Sequence, residues 1–217
     1  MRRFILCSLL LLLLLSVSLV AQTQNKISVA GAVVVLPAPD TSGGMTLNQA
    51  LAARRSVRAF AETPLTEAEI GQLLWAAQGI TSAKGQRTAP SAHAQYFLHV
   101  YVARADGFFE YVPDGHKLRL VSALDLRAKI SVNKAPVVFL IAGEYGRAEA
   151  KFPAAQADRY VNLEAGHTAQ NLVLEATALK LAGVTVGGIN PSESRAAAGL
   201  PEGITPIYVI PVGHPAK

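Results

Sequence analysis

The chain has 217 residues, 51% hydrophobic and 16% charged, a composition that suits one globular domain with a real core and excludes a disordered or fibrous chain. Lys and Arg number 20 against 15 acidic residues, and without Arg2 and Arg3 the count is 18 basic against 15 acidic; so thin and dispersed a surplus excludes a basic nucleic-acid-binding patch. Cys7 is the only cysteine, so the chain after the first 21 residues has no disulfide, thiolate metal site or thiol nucleophile.

The first 21 residues, "MRRFILCSLLLLLLLSVSLVA", carry two arginines, a leucine run and a small residue at Ala21. That is the layout of a signal peptide cut after Ala21, and it predicts export to the periplasm. The apolar stretch 4–21 also reaches the length of a membrane span, so an uncleaved N-terminal anchor is the alternative. Residues 22–45, ending in "PAPDTSGGM", read as a lead-in with a Pro/Gly/Ser joint, and the folded domain is predicted over 46–217.

Thr46 and Gln49 form a T-x-x-Q capping box, which starts a helix running to the arginines at 54 and 55. Thr66 and Glu69 repeat the device, with Ile70, Leu73, Leu74 and Ala77 on one helical face and Gly79 as the stop. The β-branched and aromatic run 94–104 predicts a strand, and 107–121 predicts a hairpin. "APVVFLIAG" (135–143) is apolar throughout, as a central strand buried on both faces would be. A long helix is expected over 163–183 with Gly183 as its stop, then a short helix capped at Ser192 and a last strand over 205–213. Helices and strands alternate irregularly, which favours an α+β or mixed α/β fold over a doubly wound one.

"LAARRSVRAF" (51–60) gathers Arg54, Arg55 and Arg58 around Ser56. If the chain straightens after Arg55, then Arg54, Ser56 and Arg58 share a face, and two guanidiniums with a hydroxyl make a clamp for a phosphate dianion. A solvated basic helix end is the plainer alternative. The five histidines, at 93, 99, 116, 167 and 214, show no metal-ligand spacing, so no metal site is expected. "VGGIN" lacks the G-x-G-x-x-G dinucleotide pattern, and no G-x-S-x-G elbow is present.

Five segments in order, "RRSVRAF", "LLWAAQGIT", "RTAPSAHAQYFLHVYV", "EAGHTAQNLVLEATALKLAG" and "VGGINP", together with the closing "PIYVIPVGHPA", give the chain a resemblance to the nitroreductase-like flavoproteins. The resemblance implies a central, mostly antiparallel sheet flanked by helices, in an intertwined homodimer with flavin at the subunit interface. It implies that Arg54, Ser56 and Arg58 hold the phosphate of FMN, with Arg55 beside them in a less defined role. Pro90 and Ser91 would line the isoalloxazine edge, and Gly187 and Gly188 would lie near the phosphate. Backbone N–H groups of Ala165 and Gly166, placed near a helix start, would face N5 and O4 of the ring. The implied activity is ping-pong hydride or electron transfer through flavin N5, from NADH or NADPH to a small-molecule acceptor, with no conventional catalytic side chain.

The segment 106–118 is similar to the azoline dehydrogenase subgroup, which oxidises thiazoline and oxazoline rings in modified peptides. That subgroup implies a catalytic Lys-Tyr pair, and this chain has Lys151-Phe152, so the phenol is missing. His93 is a second departure, standing where the family has glycine and able to approach ring or substrate or to face solvent. Two alternatives to a nitroreductase-type enzyme follow: an azoline dehydrogenase, and a non-catalytic flavin-binding envelope protein.

Overall fold

The structure is a computed structural model that describes residues 31–216. The leader read at 1–21, its anchor alternative at 4–21 and the first part of the lead-in lie outside the described residues. Among the described residues no helix is long and apolar enough to cross a membrane.

Among the described residues seven strands form one sheet: β1 (Val33–Val35), β2 (Leu98–Arg104), β3 (Gly107–Val112), β4 (Lys117–Ser122), β5 (Val137–Gly143), β6 (Ala182–Gly183) and β7 (Thr205–Gly213). Their order across the sheet is β1-β4-β3-β2-β5-β7-β6, and every pair of neighbours is antiparallel. β5 is central, and all of its residues are buried, as its uninterrupted apolar sequence requires. The fold is therefore α+β, as the segment pattern predicted, with the antiparallel sheet that the resemblance implied.

Helices cover both faces. α1 (Leu47–Ala53), α2 (Glu67–Gln78) and α5 (Ala154–Ala178) lie on one side, where Leu73, Leu74, Phe139, Ile141 and Leu172 share a core. Short helices α3 (Arg127–Ile130) and α6 (Pro191–Ala198) close the other side over Phe108, Val138, Leu140 and Val209. α4 (Tyr145–Glu149) links β5 to α5. Both predicted capping boxes form: Thr46 with Gln49, and Thr66 with Glu69. Gly143 lets α5 lie against the end of β5, since a Cβ there would stand 2.5 Å from Val161 Cγ1.

Four boundaries differ from the sequence reading. The lead-in supplies β1, a strand not read from the sequence, which pairs with β4 at the sheet edge and is followed by buried Leu36. The strand expected from residue 94 starts at Leu98, because 90–96 is taken up by a tight turn. Asn190, not Ser192, caps α6, accepting from the backbone N–H groups of Ser192 and Glu193, with Pro191 in the first turn. The helix expected over 163–183 runs from Ala154 to Ala178. It closes in a Schellman motif, Leu181 N–H to Ala176 C=O and Lys180 N–H to Thr177 C=O, with Lys180 at φ 60°. Gly183, expected as the stop, belongs to β6 instead.

Candidate active site

α5 carries one acid on its buried face. Val161, Glu164, Ala165, Thr168 and Leu172 recur at helical spacing and pack inward, and Glu164 is 1% exposed. A carboxylate there must find donors. Ser91 Oγ donates to Glu164 Oε2 at 2.6 Å, and the Phe97 backbone N–H reaches the same oxygen at 3.3 Å. From α2, Gln78 Nε2 donates to Thr168 Oγ1 at 2.8 Å and to Glu164 Oε1 at 3.3 Å. Arg87 Nη1 then donates to Gln78 Oε1 at 3.1 Å, and its guanidinium lies over the Tyr96 ring at 4.3 Å. Burial raises the Glu164 pKa above its usual value, against the pull of the Ser91, Phe97 and Gln78 hydrogen bonds and the Arg87 charge.

This network fixes the turn between α2 and β2. Ser91 Oγ also accepts from the Tyr96 backbone N–H at 2.8 Å. Between these anchors His93, Ala94 and Tyr96 take φ of 53°, 55° and 51°. Three non-glycine residues in the left-handed region within so short a turn hold strain that the surrounding bonds must maintain. The His93 side chain stands outward, its ring 5.5 Å from that of Phe152. Phe152 in turn meets Tyr160 edge-on at 5.0 Å and Phe97 at 6.3 Å. Pro90 is exposed at the start of the turn.

The arginine segment lies elsewhere. Arg54 ends α1, and the chain then runs extended: Ser56 bridges Gly183, Val57 N–H donates to the Gly183 carbonyl, and Phe60 bridges Pro215. The straightening required for Arg54, Ser56 and Arg58 to share a face is present in the backbone. Arg55 is used locally, donating to the carbonyls of Ala52 and Arg54. Arg54, Ser56 and Arg58 have no side-chain partner among the described residues. Arg58 lines a cleft of about 940 Å³ with Phe60, Arg127, Lys134 and Pro136. Ser56 is exposed beside β6, and Arg54 is half-buried.

Gly187 and Gly188 follow the Val186–Val209 bridge and are exposed, between the arginine segment and the far end of β7. A Cβ on Gly187 would stand 3.0 Å from the Tyr208 ring. Ala165 and Gly166 require a correction. They lie in the middle of α5, so their N–H groups are spent on helical bonds to residues four back and do not face outward as free donors. Gly166 instead leaves open space where a side chain would stand. Asp158, Arg159 and Tyr160, which precede the helix as read over 163–183, are inside it as well.

Within one chain two groups of residues thus stand apart. The turn 90–93 is pinned at Glu164, and the arginine segment is pinned at Gly183, beyond the far end of α5. From Glu164 to Ala178 the helix axis covers about 21 Å at its usual rise per residue.

This fold and site define a class. The profile of the nitroreductase family matches residues 51–214. The chain belongs to the nitroreductase family and so to the oxidoreductases. A protein of Methanocaldococcus jannaschii that carries a nitroreductase name is 36% identical over 182 residues, 77% of this chain and 90% of its own. A Ralstonia eutropha crystal structure, likewise named for a nitroreductase, is 32% identical with a TM-score of 0.82, over 88% of this chain and 93% of that one. The E. coli microcin synthetase McbBCD complex shares the fold at 19% identity and a TM-score of 0.68, over 91% of this chain and 81% of that one. At that distance the likeness is one of fold alone.

Proposed function

We propose that the chain is an FMN-dependent oxidoreductase that works as a homodimer, taking electrons from NADH or NADPH and passing them to a small-molecule acceptor. One observation carries the reading. Arg54, Ser56 and Arg58 are held on an extended segment beside Gly183 with their side chains unengaged among the described residues. Two guanidiniums and a hydroxyl in that state match a phosphate dianion, which accepts paired charge-assisted hydrogen bonds. Gly166 and Gly187 add backbone surfaces without side chains, along which a flat ring system can pass closely. When bound, FMN supplies the hydride-accepting and hydride-donating chemistry.

The chain's own residues bind and orient. Arg54, Ser56 and Arg58 anchor the phosphate. Glu164, through Ser91 and the Phe97 N–H, sets the turn that carries Pro90 and His93. The rings of Phe152 and Tyr160 pack beside that turn, with the exposed His93 ring against Phe152. Because the two groups are a helix length apart in one chain, a second copy is needed to bring one subunit's turn to the other's arginines. Outward-facing Leu47 (66% exposed) and Leu51 (51%) on α1, and Leu163 (48%) on α5, supply apolar surface for that contact.

The azoline alternative needs a phenol next to Lys151. Position 152 is phenylalanine, and the Tyr160 ring lies 5.0 Å from it. Anaerobic mixing with NADH and with NADPH separates the readings. Bleaching of protein-bound flavin absorbance by either one supports the enzyme. Bound flavin that neither nucleotide reduces supports a non-catalytic binding protein, and a colourless protein after incubation with FMN removes the proposal.

A further inference from the structure

One end of the sheet presents apolar and basic side chains together. β4 leaves the sheet at Ser122, opposite Phe108, and β5 enters one residue before the Ala103–Val138 pair, so residues 123–136 cross the ends of β3 and β2. Leu126, Ile130 and Ala135 anchor the crossing in the core that holds Phe108. Arg127 braces it, donating to both carboxylate oxygens of Asp125 and to the Pro136 carbonyl. Between these anchors Ser131 Oγ donates to the Asn133 carbonyl at 3.1 Å and accepts from the Asn133 N–H at 3.2 Å. The turn so closed carries Val132 at its tip, 97% exposed, more than any other large hydrophobic residue among those described. Leu124, on the same crossing, is 61% exposed.

The charge of the crossing has one sign. It carries Arg127, Lys129 and Lys134 against Asp125 alone. Arg127 is spent on Asp125, and Lys129 has no ion-pair partner among the described residues. Lys134 meets Glu62 at 3.0 Å, but both side chains stand in water, where such a pair contributes little. Two ammonium groups thus flank the apolar tip. The chain also enters the sheet at this end, where the Gly31 N–H donates to the Leu120 carbonyl two residues before the crossing begins at Ser122. Nine residues separate Gly31 from the apolar stretch 4–21, a reach of at most about 35 Å for an extended chain. A bilayer that receives that stretch holds the domain by this end.

We propose that this end docks on the surface of an anionic membrane, with Leu124 and Val132 entering between the headgroups and Lys129 and Lys134 meeting lipid phosphates. Two side chains on one loop fall far short of the roughly 800 Å² a side that a stable protein interface buries, whereas headgroups part for single side chains. The docking uses none of the residues proposed to hold flavin, and its test reads neither flavin nor activity. Val132→Trp in the full chain puts a reporter at the tip, with the wild type as the control for Trp75. The probe is vesicles of phosphatidylcholine and phosphatidylglycerol with brominated acyl chains, which quench an indole at short range, against unbrominated vesicles of the same composition. Bromolipid should remove most of the emission that the reporter adds, and that emission should move to the blue. Zwitterionic vesicles, and Lys129→Ala/Lys134→Ala in the reporter chain, should each cut the quenching several-fold. Val132 stands in water, so the reporter leaves the core unchanged, and a melting curve of each variant verifies this. Quenching no greater than in the wild type overturns the proposal, as does equal quenching by zwitterionic vesicles. A reporter emission that turns blue with rising protein concentration and no lipid overturns it too, because a second copy then covers this face.

Discussion

Replacing Glu164 with alanine removes the acceptor that joins three segments of the chain. The carboxylate takes hydrogen bonds from Ser91 Oγ, the Phe97 N–H and Gln78 Nε2. Alanine leaves Ser91 Oγ and the Phe97 N–H without that acceptor in a site that is 1% exposed, while Gln78 Nε2 keeps its bond to Thr168 Oγ1. Each stranded donor costs about 1–3 kcal/mol. Relief of the carboxylate's own desolvation offsets part of this, and burial is the largest influence on its pKa. The net expectation is a loss of about 3–5 kcal/mol, a large share of the roughly 5–15 kcal/mol that holds a domain folded. Urea unfolding followed by tryptophan fluorescence reads it as a fall in the midpoint at unchanged slope. The turn should loosen too, so proteolysis between Pro90 and Tyr96 should quicken, because His93, Ala94 and Tyr96 would no longer be held at positive φ. A loss under about 1 kcal/mol would show that water or a shifted Gln78 replaces the carboxylate, and that the network does not govern the turn.

Gly143→Ala should destabilise the fold by about 1–3 kcal/mol, since its Cβ would stand 2.5 Å from Val161 Cγ1 and 3.0 Å from Ile207 Cδ1; thermal melting checks this, and Val161→Ala in the same chain should recover part of the loss. Lys180→Gly should raise stability by about 0.5–1 kcal/mol, because φ 60° at the end of α5 suits glycine; an unchanged or lower Tm would contradict it. Burial raises the folded pKa of Glu175 above the unfolded 4.5, so its contribution is complete below that pH and is lost as pH rises through the raised value. Glu175→Gln should therefore gain stability relative to wild type as pH rises past 4.5, and a difference constant from pH 4 to 8 would refute the sign.

Much of this fold is legible in local chemistry. The two capping boxes, the all-apolar β5 and the 107–121 hairpin depend on neighbours in sequence, and each forms as read. The start of α5 is not legible in the same way. Ala154–Asn162 is rich in alanine and polar residues, with no Ser, Thr, Asp or Asn cap, and its helix is held by packing of Ala157 and Val161. The mistaken start carried over to the site, making Ala165 and Gly166 look like free helix-end donors. Lys180 hid the end of the helix, because a lysine in the left-handed position gives no glycine signal. The arginine segment was readable because alternation in an extended stretch is a local rule. The Glu164 network joins residues from 78 to 168 across four segments, so only the fold brings it together. One clue was present: a glutamate and a threonine four apart on an otherwise apolar helix face.

The claim on which the account rests is that Arg54 and Arg58 grip the phosphate of a bound mononucleotide. Quenching of FMN fluorescence, titrated with the full chain and with the Arg54→Ala/Arg58→Ala variant, tests it most directly. Loss of two charge-assisted contacts, at about 1.5–3 kcal/mol each, predicts FMN affinity lower by at least about a hundredfold, while binding of riboflavin, which lacks the phosphate, stays as weak as in the wild type. Equal FMN affinity in the two proteins, with the variant folded as judged by its melting curve, would contradict it.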